Sequence, residues 1–81
     1  MIQYTLGEKY RKITSDNTTL NVDCFAIKAL GGGVVVDATA NDSDNLSGQT
    51  ISDGDIISSL TGWSSVTKKS GGGTVIIFTN D

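Results

Sequence analysis

Residues 74–79 read Thr-Val-Ile-Ile-Phe-Thr, and they follow a glycine run at residues 71–73. Every side chain of this hexapeptide is β-branched or aromatic, and such side chains suit a pleated, half-buried surface. Valine, isoleucine, threonine and the aromatic residues together account for 29 of the 81 residues. No stretch repeats apolar residues with a helical period over three turns. We therefore predict an all-β fold, a small antiparallel sandwich or barrel built of hairpins.

Working outward from this hexapeptide, short apolar runs alternate with turn sequences along the chain. The predicted strand segments are, in chain order, 2–6, 10–14, 18–30, from 34 onward, 46–51, 56–66 and 74–79. In the longest of them the apolar register switches by one residue between Cys24 and Phe25. A β-bulge produces such a switch, and so does burial on both faces of the strand. The sequence leaves these two explanations open.

Two triple-glycine runs, at residues 31–33 and 71–73, lie forty residues apart, each between apolar segments. Duplication of a half-domain would explain this repeat, but two hairpins with the same glycine-rich turn explain it more simply. Phosphate binding is not expected, because the glycines lead into strands and offer no helix N-terminus. We expect Lys68 and Lys69 to lie at a solvated hairpin tip.

The size and charge of the chain limit the functions that it could have. With 81 residues and 8.4 kDa, the chain is expected to be one domain, residues 1–81. The net charge of −3 argues against nucleic acid as a partner. No apolar run approaches a membrane span, and charged residues within the first thirty leave no room for the apolar region of a signal peptide.

Few residues could carry out catalysis. The chain has no histidine, which removes the commonest general base and the commonest metal ligand. Its single cysteine, Cys24, is expected to pack as a small buried hydrophobe. The acidic pairs at residues 42–44 and 53–55 favour turn geometry, and calcium binding is the less favoured alternative. We expect no enzyme activity, no cofactor and no metal.

The aromatic and basic residues are the candidate binding residues. Trp63 is expected to be a core or subunit-interface anchor, with ligand stacking as the alternative. Tyr4, Tyr10 and Arg11 are the other candidate interface residues, and basic residues surround the last two. A solvated edge, or a contact with an acidic neighbour, is favoured over single-stranded nucleic acid for this cluster.

The chain from about residue 24 to residue 79 resembles small virion structural proteins of tailed bacteriophages. The resemblance lies in Leu-Ser-Gly at 46–48, Ile-Ser-Asp-Gly-Asp-Ile at 51–56, Trp-Ser-Ser-Val at 63–66 and the closing strand after Ser70-Gly71. The segment from Phe25-Ala26-Ile27 to Val36 is also similar to the central part of these proteins. The chain departs from the pattern in having Ser52 where proline is usual and in the inserted pair at residues 60–61.

The resemblance implies a protein without catalysis or cofactors that binds other virion proteins, most simply as a capsid decoration or cement protein. It implies partners such as the major capsid protein, assembly in the host bacterial cytoplasm and a place in the virion. A homotrimer would suit the three-fold positions of an icosahedral shell, and unprotected β-edges would be covered by neighbours. The alternative is a receptor- or carbohydrate-binding module of a tail fibre, with Trp63 and Tyr10 as stacking platforms.

Overall fold

The computed structural model describes residues 9–79, and it is all-β, as the composition predicts. Its strands are β1 (Lys9–Ile13), β2 (Thr18–Leu20), β3 (Cys24–Leu30), β4 (Val34–Ala40), β5 (Leu46–Ile51), β6 (Ile56–Ser70) and β7 (Thr74–Thr79). The predicted strand at residues 2–6 lies outside the described residues, as does Tyr4.

All strand pairs are antiparallel, and the order of the sheet is β1-β7-β3-β6-β4-β5, with β2 also paired to β6. The long strand β6 belongs to two layers. Its residues 56–60 lie beside β3, and its residues 63–70 lie between β4 and β2. We call β1, β7, β3 and residues 56–60 the first half, and β2, residues 63–70, β4 and β5 the second half.

Strand β6 passes from one half to the other at Gly62, whose φ of 74° lies in the left-handed region. A Cβ atom at this position would collide with the carbonyl oxygen of Cys24, so only glycine fits. β2 and β3 follow one another along the same side of β6, from the pair Thr18–Lys68 to the pair Lys28–Ile56. The register shifts between Cys24 and Ala26, where the extra residues, 59–62, lie on β6. Ala26 and Ile27 are both fully buried, so β3 shows burial on both faces as well as an irregular register.

The core lies between the two halves. The smallest extent of the molecule is 17 Å, which suits two layers about 10 Å apart. Both halves contribute to one cluster of buried side chains, which are Ile13, Cys24, Ile27, Ala29, Val34, Val36, Ala38, Ile51, Trp63, Val66, Val75 and Ile77.

The two glycine runs are not hairpin turns, which corrects the prediction. Residues 31–33 join β3 to β4 and residues 71–73 join β6 to β7, and in both cases the joined strands lie in different halves. Of the described strands, only β4 and β5 pair with their neighbour in sequence. The two connectors cross in contact, with the Gly73 amide donating to the Gly33 carbonyl at 3.3 Å. A Cβ atom on Gly71 or Gly73 would collide with the opposite backbone, so close approach explains the repeated glycines.

Candidate functional site

The outward-facing side of the first half is built from two rows of residues that run across its four strands. Ile27 and Ile77 point into the core, so the residues that alternate with them on β3 and β7 point outward. One row is Tyr10, Phe78, Ala26 and Ser58, and the next is Lys12, Ile76, Lys28 and Ile56. We call this surface, together with Leu30, the outer apolar face.

Large exposed apolar side chains are concentrated in the first half. Among the described residues they are Tyr10 (62% exposed), Leu30 (49%), Ile56 (42%) and Leu60 (106%). Three of them lie on the outer apolar face, and Leu60 extends its line along β6. Between Tyr10 and Ile56 lie Ala26 and Ile76, which are 0% and 9% exposed, so the exposed apolar area consists of separate side chains grouped on one face. Such a grouping is the feature of this surface that favours an interaction site.

The outer apolar face is also basic, although the chain as a whole is acidic. Lys12 and Lys28 lie on either side of Ile76 in one row of this face. The four strand segments of the first half contain no aspartate or glutamate. Such a surface complements an acidic one, and the complementarity favours orientation and association rate.

The outward-facing side of the second half is polar, and its polar groups bind one another. The hydroxyls of Thr19 and Thr67 lie 2.6 Å apart across β2 and β6. The Asp37 carboxylate accepts a hydrogen bond from the Gly48 amide at 2.7 Å and lies 3.8 Å from the Lys69 ammonium. This face therefore has less need of a partner than the outer apolar face.

The structure places two of the four candidate interface residues near one another, on β1. Tyr10 is on the outer apolar face, opposite Phe78. Arg11 lies on the same strand opposite Ile77, with its side chain exposed on the other side of the strand. The sequence argument missed Phe78, although its alternation with the core residue Ile77 was a usable signal.

Trp63 lies in the core, only 4% exposed, immediately after the β6 bend. An indole ring buried in this way has no free face for a partner or a sugar. Of the two roles expected for Trp63, core anchor or subunit-interface anchor, the structure shows the core one, and it does not support Trp63 as an exposed interface residue. It also removes one of the two aromatic platforms of the carbohydrate-binding alternative.

A cleft of about 590 Å³ lies beside the bend, between the segment that ends at Phe25 and residues 60–62 of β6. The thiol of Cys24 lines it but is poorly reactive, because burial raises the pKa of Cys24 to about 11, an effect that the charge of Asp23 reinforces. The Asn41 amide is engaged with the Thr61 carbonyl at 2.9 Å. A protonated thiol is a weak nucleophile, so the cleft offers no activated cysteine.

Lys68 is buried, which corrects the prediction of a solvated tip. Its side chain is 2% exposed, and its ammonium pairs with Asp16 and donates to the Gly71 carbonyl at 2.9 Å. Asp16 is half-exposed, so the pair reaches the surface on one side only. The contact ties the β1–β2 connection to the glycine connector between β6 and β7.

The contact that the structure gives for the acidic turns is a hydrogen bond to the backbone. Asp53 accepts a hydrogen bond from the Gly31 amide at 3.0 Å. Over residues 9–79 there is no group of three or more histidine, cysteine, aspartate or glutamate side chains arranged to hold a metal ion. In the same range no helix has the length and apolarity to cross a membrane.

No protein-family model, curated protein sequence or solved structure matches the chain.

Proposed function

We propose that the chain is a non-enzymatic structural subunit that binds neighbouring proteins through its outer apolar face. Following the resemblance of residues 24–79, we propose further that it is a bacteriophage virion protein. Its most suitable role is then a capsid decoration or cement protein that binds and stabilises neighbouring capsid subunits after assembly in the bacterial cytoplasm. A homotrimer stays the prediction for its arrangement at three-fold positions.

The observation that carries this proposal is the grouping of the exposed apolar side chains. Tyr10, Leu30 and Ile56 lie on one layer, whereas the opposite layer exposes polar groups that bind one another. Burying a large apolar side chain stabilises a complex by about 1.5–3 kcal/mol at most. Three such side chains contribute about 5–9 kcal/mol in total, which is of the same order as the cost of association, so the proposed contact also needs the neighbouring residues of this face.

The charges indicate what the partner surface looks like. Lys12 and Lys28 flank the apolar row, so a partner that places carboxylates around an apolar centre would match it. A carboxylate at the rim pairs with a lysine whose ammonium stays near water, and such pairs chiefly guide orientation. We therefore propose an acidic protein surface as the binding partner.

The test is co-sedimentation of the purified chain with capsids of the encoding phage that lack it. We expect saturable binding at a stoichiometry set by the shell symmetry. Lys28→Glu should weaken binding at least tenfold, because it places a carboxylate opposite carboxylates. The matched control is Lys69→Glu, the same charge reversal on the polar face, which should bind like the parent chain.

Absence of binding, or equal weakening by the two reversals, would contradict the proposal. Circular dichroism of both variants establishes that the fold is retained. Because both reversals change the net charge equally, a difference between them reports the face rather than the overall charge.

A further inference from the structure

One wall of the cleft beside the bend is an irregular segment of β6, residues 59–62. Its residues lie opposite a single residue of β3, Phe25, where the register of the two strands shifts. The segment places the side chain of Leu60 in solvent, 106% exposed, although this residue belongs to a strand. Leu60 and the half-buried Phe25 both line the cleft. Extra residues in a strand re-aim side chains and are common beside functional sites.

Hydrogen bonds within the chain hold this irregular segment in place. The Asn41 side-chain amide donates to the Thr61 carbonyl at 2.9 Å, and the Asn41 backbone amide donates to the Gly62 carbonyl at 3.0 Å. Within the segment, the Gly62 amide donates to the Ser59 hydroxyl at 3.3 Å, and the Ser59 and Thr61 hydroxyls lie 3.2 Å apart. The backbone that carries Leu60 is therefore fixed before a partner binds, which lowers the entropy that binding would cost.

The cleft contains one carboxylate without a counter-charge. Asp23 lines the cleft and is exposed, and none of the other described residues that line it is charged. Among the described residues, no hydrogen bond or ion pair engages the Asp23 side chain. A carboxylate in this position attracts a cationic group and disfavours an anionic one.

The three kinds of group that line the cleft match one side chain, that of arginine. A guanidinium pairs with a carboxylate and stacks on an aromatic ring, so Asp23 and Phe25 can engage it together. The aliphatic stem of the same side chain can then pack against Leu60. A lysine ammonium would satisfy the carboxylate but lacks the planar surface that stacks on a ring.

We propose that the cleft binds an arginine side chain presented by a partner protein. Asp23 pairs with the guanidinium, Phe25 stacks on it, and Leu60 covers its aliphatic stem. The outer apolar face is basic and suits carboxylates, whereas this cleft suits a cation, so the inference does not depend on the proposed function. The chain then has two surfaces that select neighbours of opposite charge.

The test is an NMR titration of the isotope-labelled chain with the peptide acetyl-Gly-Arg-Gly-amide. We expect saturable shifts of amide signals around residues 21–25 and 59–62, with a dissociation constant of about 1–10 mM for one side chain in an open cleft. The peptide with glutamine in place of arginine should give no saturable shifts. The lysine peptide should bind about threefold more weakly than the arginine peptide, and so should methylguanidinium, which lacks the aliphatic stem.

Two variants locate the site, each with a matched control. Asp23→Asn should weaken binding of the arginine peptide about fivefold, because it removes one partner of an exposed ion pair. Asp55→Asn changes another exposed carboxylate, beyond the other end of β3, and should bind like the parent chain. Leu60→Ser should weaken binding about threefold, whereas Leu30→Ser, on the outer apolar face, should leave it unchanged. Amide spectra that are unchanged away from each substitution establish that the fold is retained.

Absence of saturable shifts with the arginine peptide would overturn the inference, as would equal binding of the glutamine peptide. Equal weakening by Asp23→Asn and Asp55→Asn would also overturn it, because the peptide would then respond to overall charge and not to the cleft. Equal affinity for the lysine peptide would contradict stacking on Phe25, and equal affinity for methylguanidinium would contradict the contact with Leu60. Capsid binding that persists without any peptide binding would leave the outer-face proposal standing while this inference fails.

Discussion

The two halves of the molecule share one core but differ in what they turn outward. The first half exposes Tyr10, Leu30 and Ile56 between lysines. The second half exposes threonines, serines and Asp37, whose polar groups bind one another. One strand, β6, runs through both halves, so the contrast arises from side chains and not from separate folding units.

The contrast shows that different physical requirements determine which residues face the core and which face outward. Inward residues of both halves meet the same need for close packing, and both supply β-branched side chains to one cluster. Close packing does not constrain the outward residues in this way. A surface whose polar groups already bind one another is stabilised little by contact with a partner. An exposed apolar row is stabilised only when something covers it.

The largest expected effect comes from breaking the junction between the halves. Gly62→Ala should destabilise the fold by about 4 kcal/mol or more, because the added Cβ meets the Cys24 backbone at a positive φ. Gly48→Ala is the matched control, since Gly48 has a similar φ of 61° and open space around it. Its cost should be only about 1 kcal/mol. Urea unfolding measures both, and equal costs would show that Gly62 is not constrained by its neighbour.

The buried ion pair provides the second test, on the inner side of the second half. Asp16→Asn should cost about 3 kcal/mol, because it leaves the Lys68 ammonium buried without a counter-charge. Lys68→Met should cost less, about 1 kcal/mol, since it keeps the buried stem and leaves Asp16 half-exposed to water. The measurement is the free energy of unfolding of each variant. A larger loss of stability for Lys68→Met than for Asp16→Asn would contradict this account.

A third, smaller effect compares how much the polar outward side of the second half and the outer apolar face each stabilise the isolated chain. Thr67→Ala removes the cross-strand hydroxyl contact with Thr19 and should cost about 1 kcal/mol. Tyr10→Ser, on the outer apolar face, should change the stability of the isolated chain by no more than about 0.5 kcal/mol. The comparison is made on the monomer at low concentration. A larger cost for Tyr10→Ser would mean that the outer apolar face stabilises the isolated chain.

The last expected effect is a pH dependence at the boundary between the halves, and it appears only above pH 9. The folded pKa of Cys24 is raised from 9.0 to about 11, mainly by burial. Above pH 9 the unfolded thiol ionises while the folded thiol keeps its proton, so this contribution to stability is lost as the pH rises from 9 to 11. Below pH 9 it is fully present. Cys24→Ala should show a shallower decline over that interval, and parallel declines would contradict the assignment.

Local patterns were sufficient to predict most of the described strands, but the single strand expected over residues 18–30 is divided into β2 and β3, which residues 21–23 separate. Residues 74–79 and the runs near residues 10–14 and 46–51 lie within a residue or so of the observed β7, β1 and β5. The sequence also indicated an irregularity near Cys24, because a switch of the apolar register is visible within residues 18–30, but it left open whether a bulge or burial on both faces causes it. Each of these features depends on residues that are close together in the chain.

The pairing of strands could not be predicted in the same way. The glycine runs resemble hairpin turns, yet each joins strands in different layers. Contact between the two runs explains Gly32, Gly71 and Gly73, whereas Gly31 and Gly72 have open space around them. Lys68 was expected at the surface because of its charge. Its position two residues after the buried Val66 on one strand indicates the inward side, but Asp16, which makes that burial possible, lies 52 residues away.

The candidate site was predicted only in part. Tyr10 and the basic character of β1 were recognised from sequence, and the structure adds Lys28, Ile76 and Phe78 beside them. These residues meet only because β7 lies between β1 and β3. Trp63 was expected in the core or at a subunit interface on grounds of residue type, and its place beside the bend puts it in the core.

The position of β6 late in the chain has a consequence for biosynthesis. Strands β2, β3 and β4 all pair with β6, while β1 pairs with β7. A nascent chain that has reached residue 55 holds five strands but only the β4–β5 ladder. Five of the six described strand ladders involve residues 56–79, so they form only after this segment has left the ribosome, and their long-range pairing is expected to make folding slow.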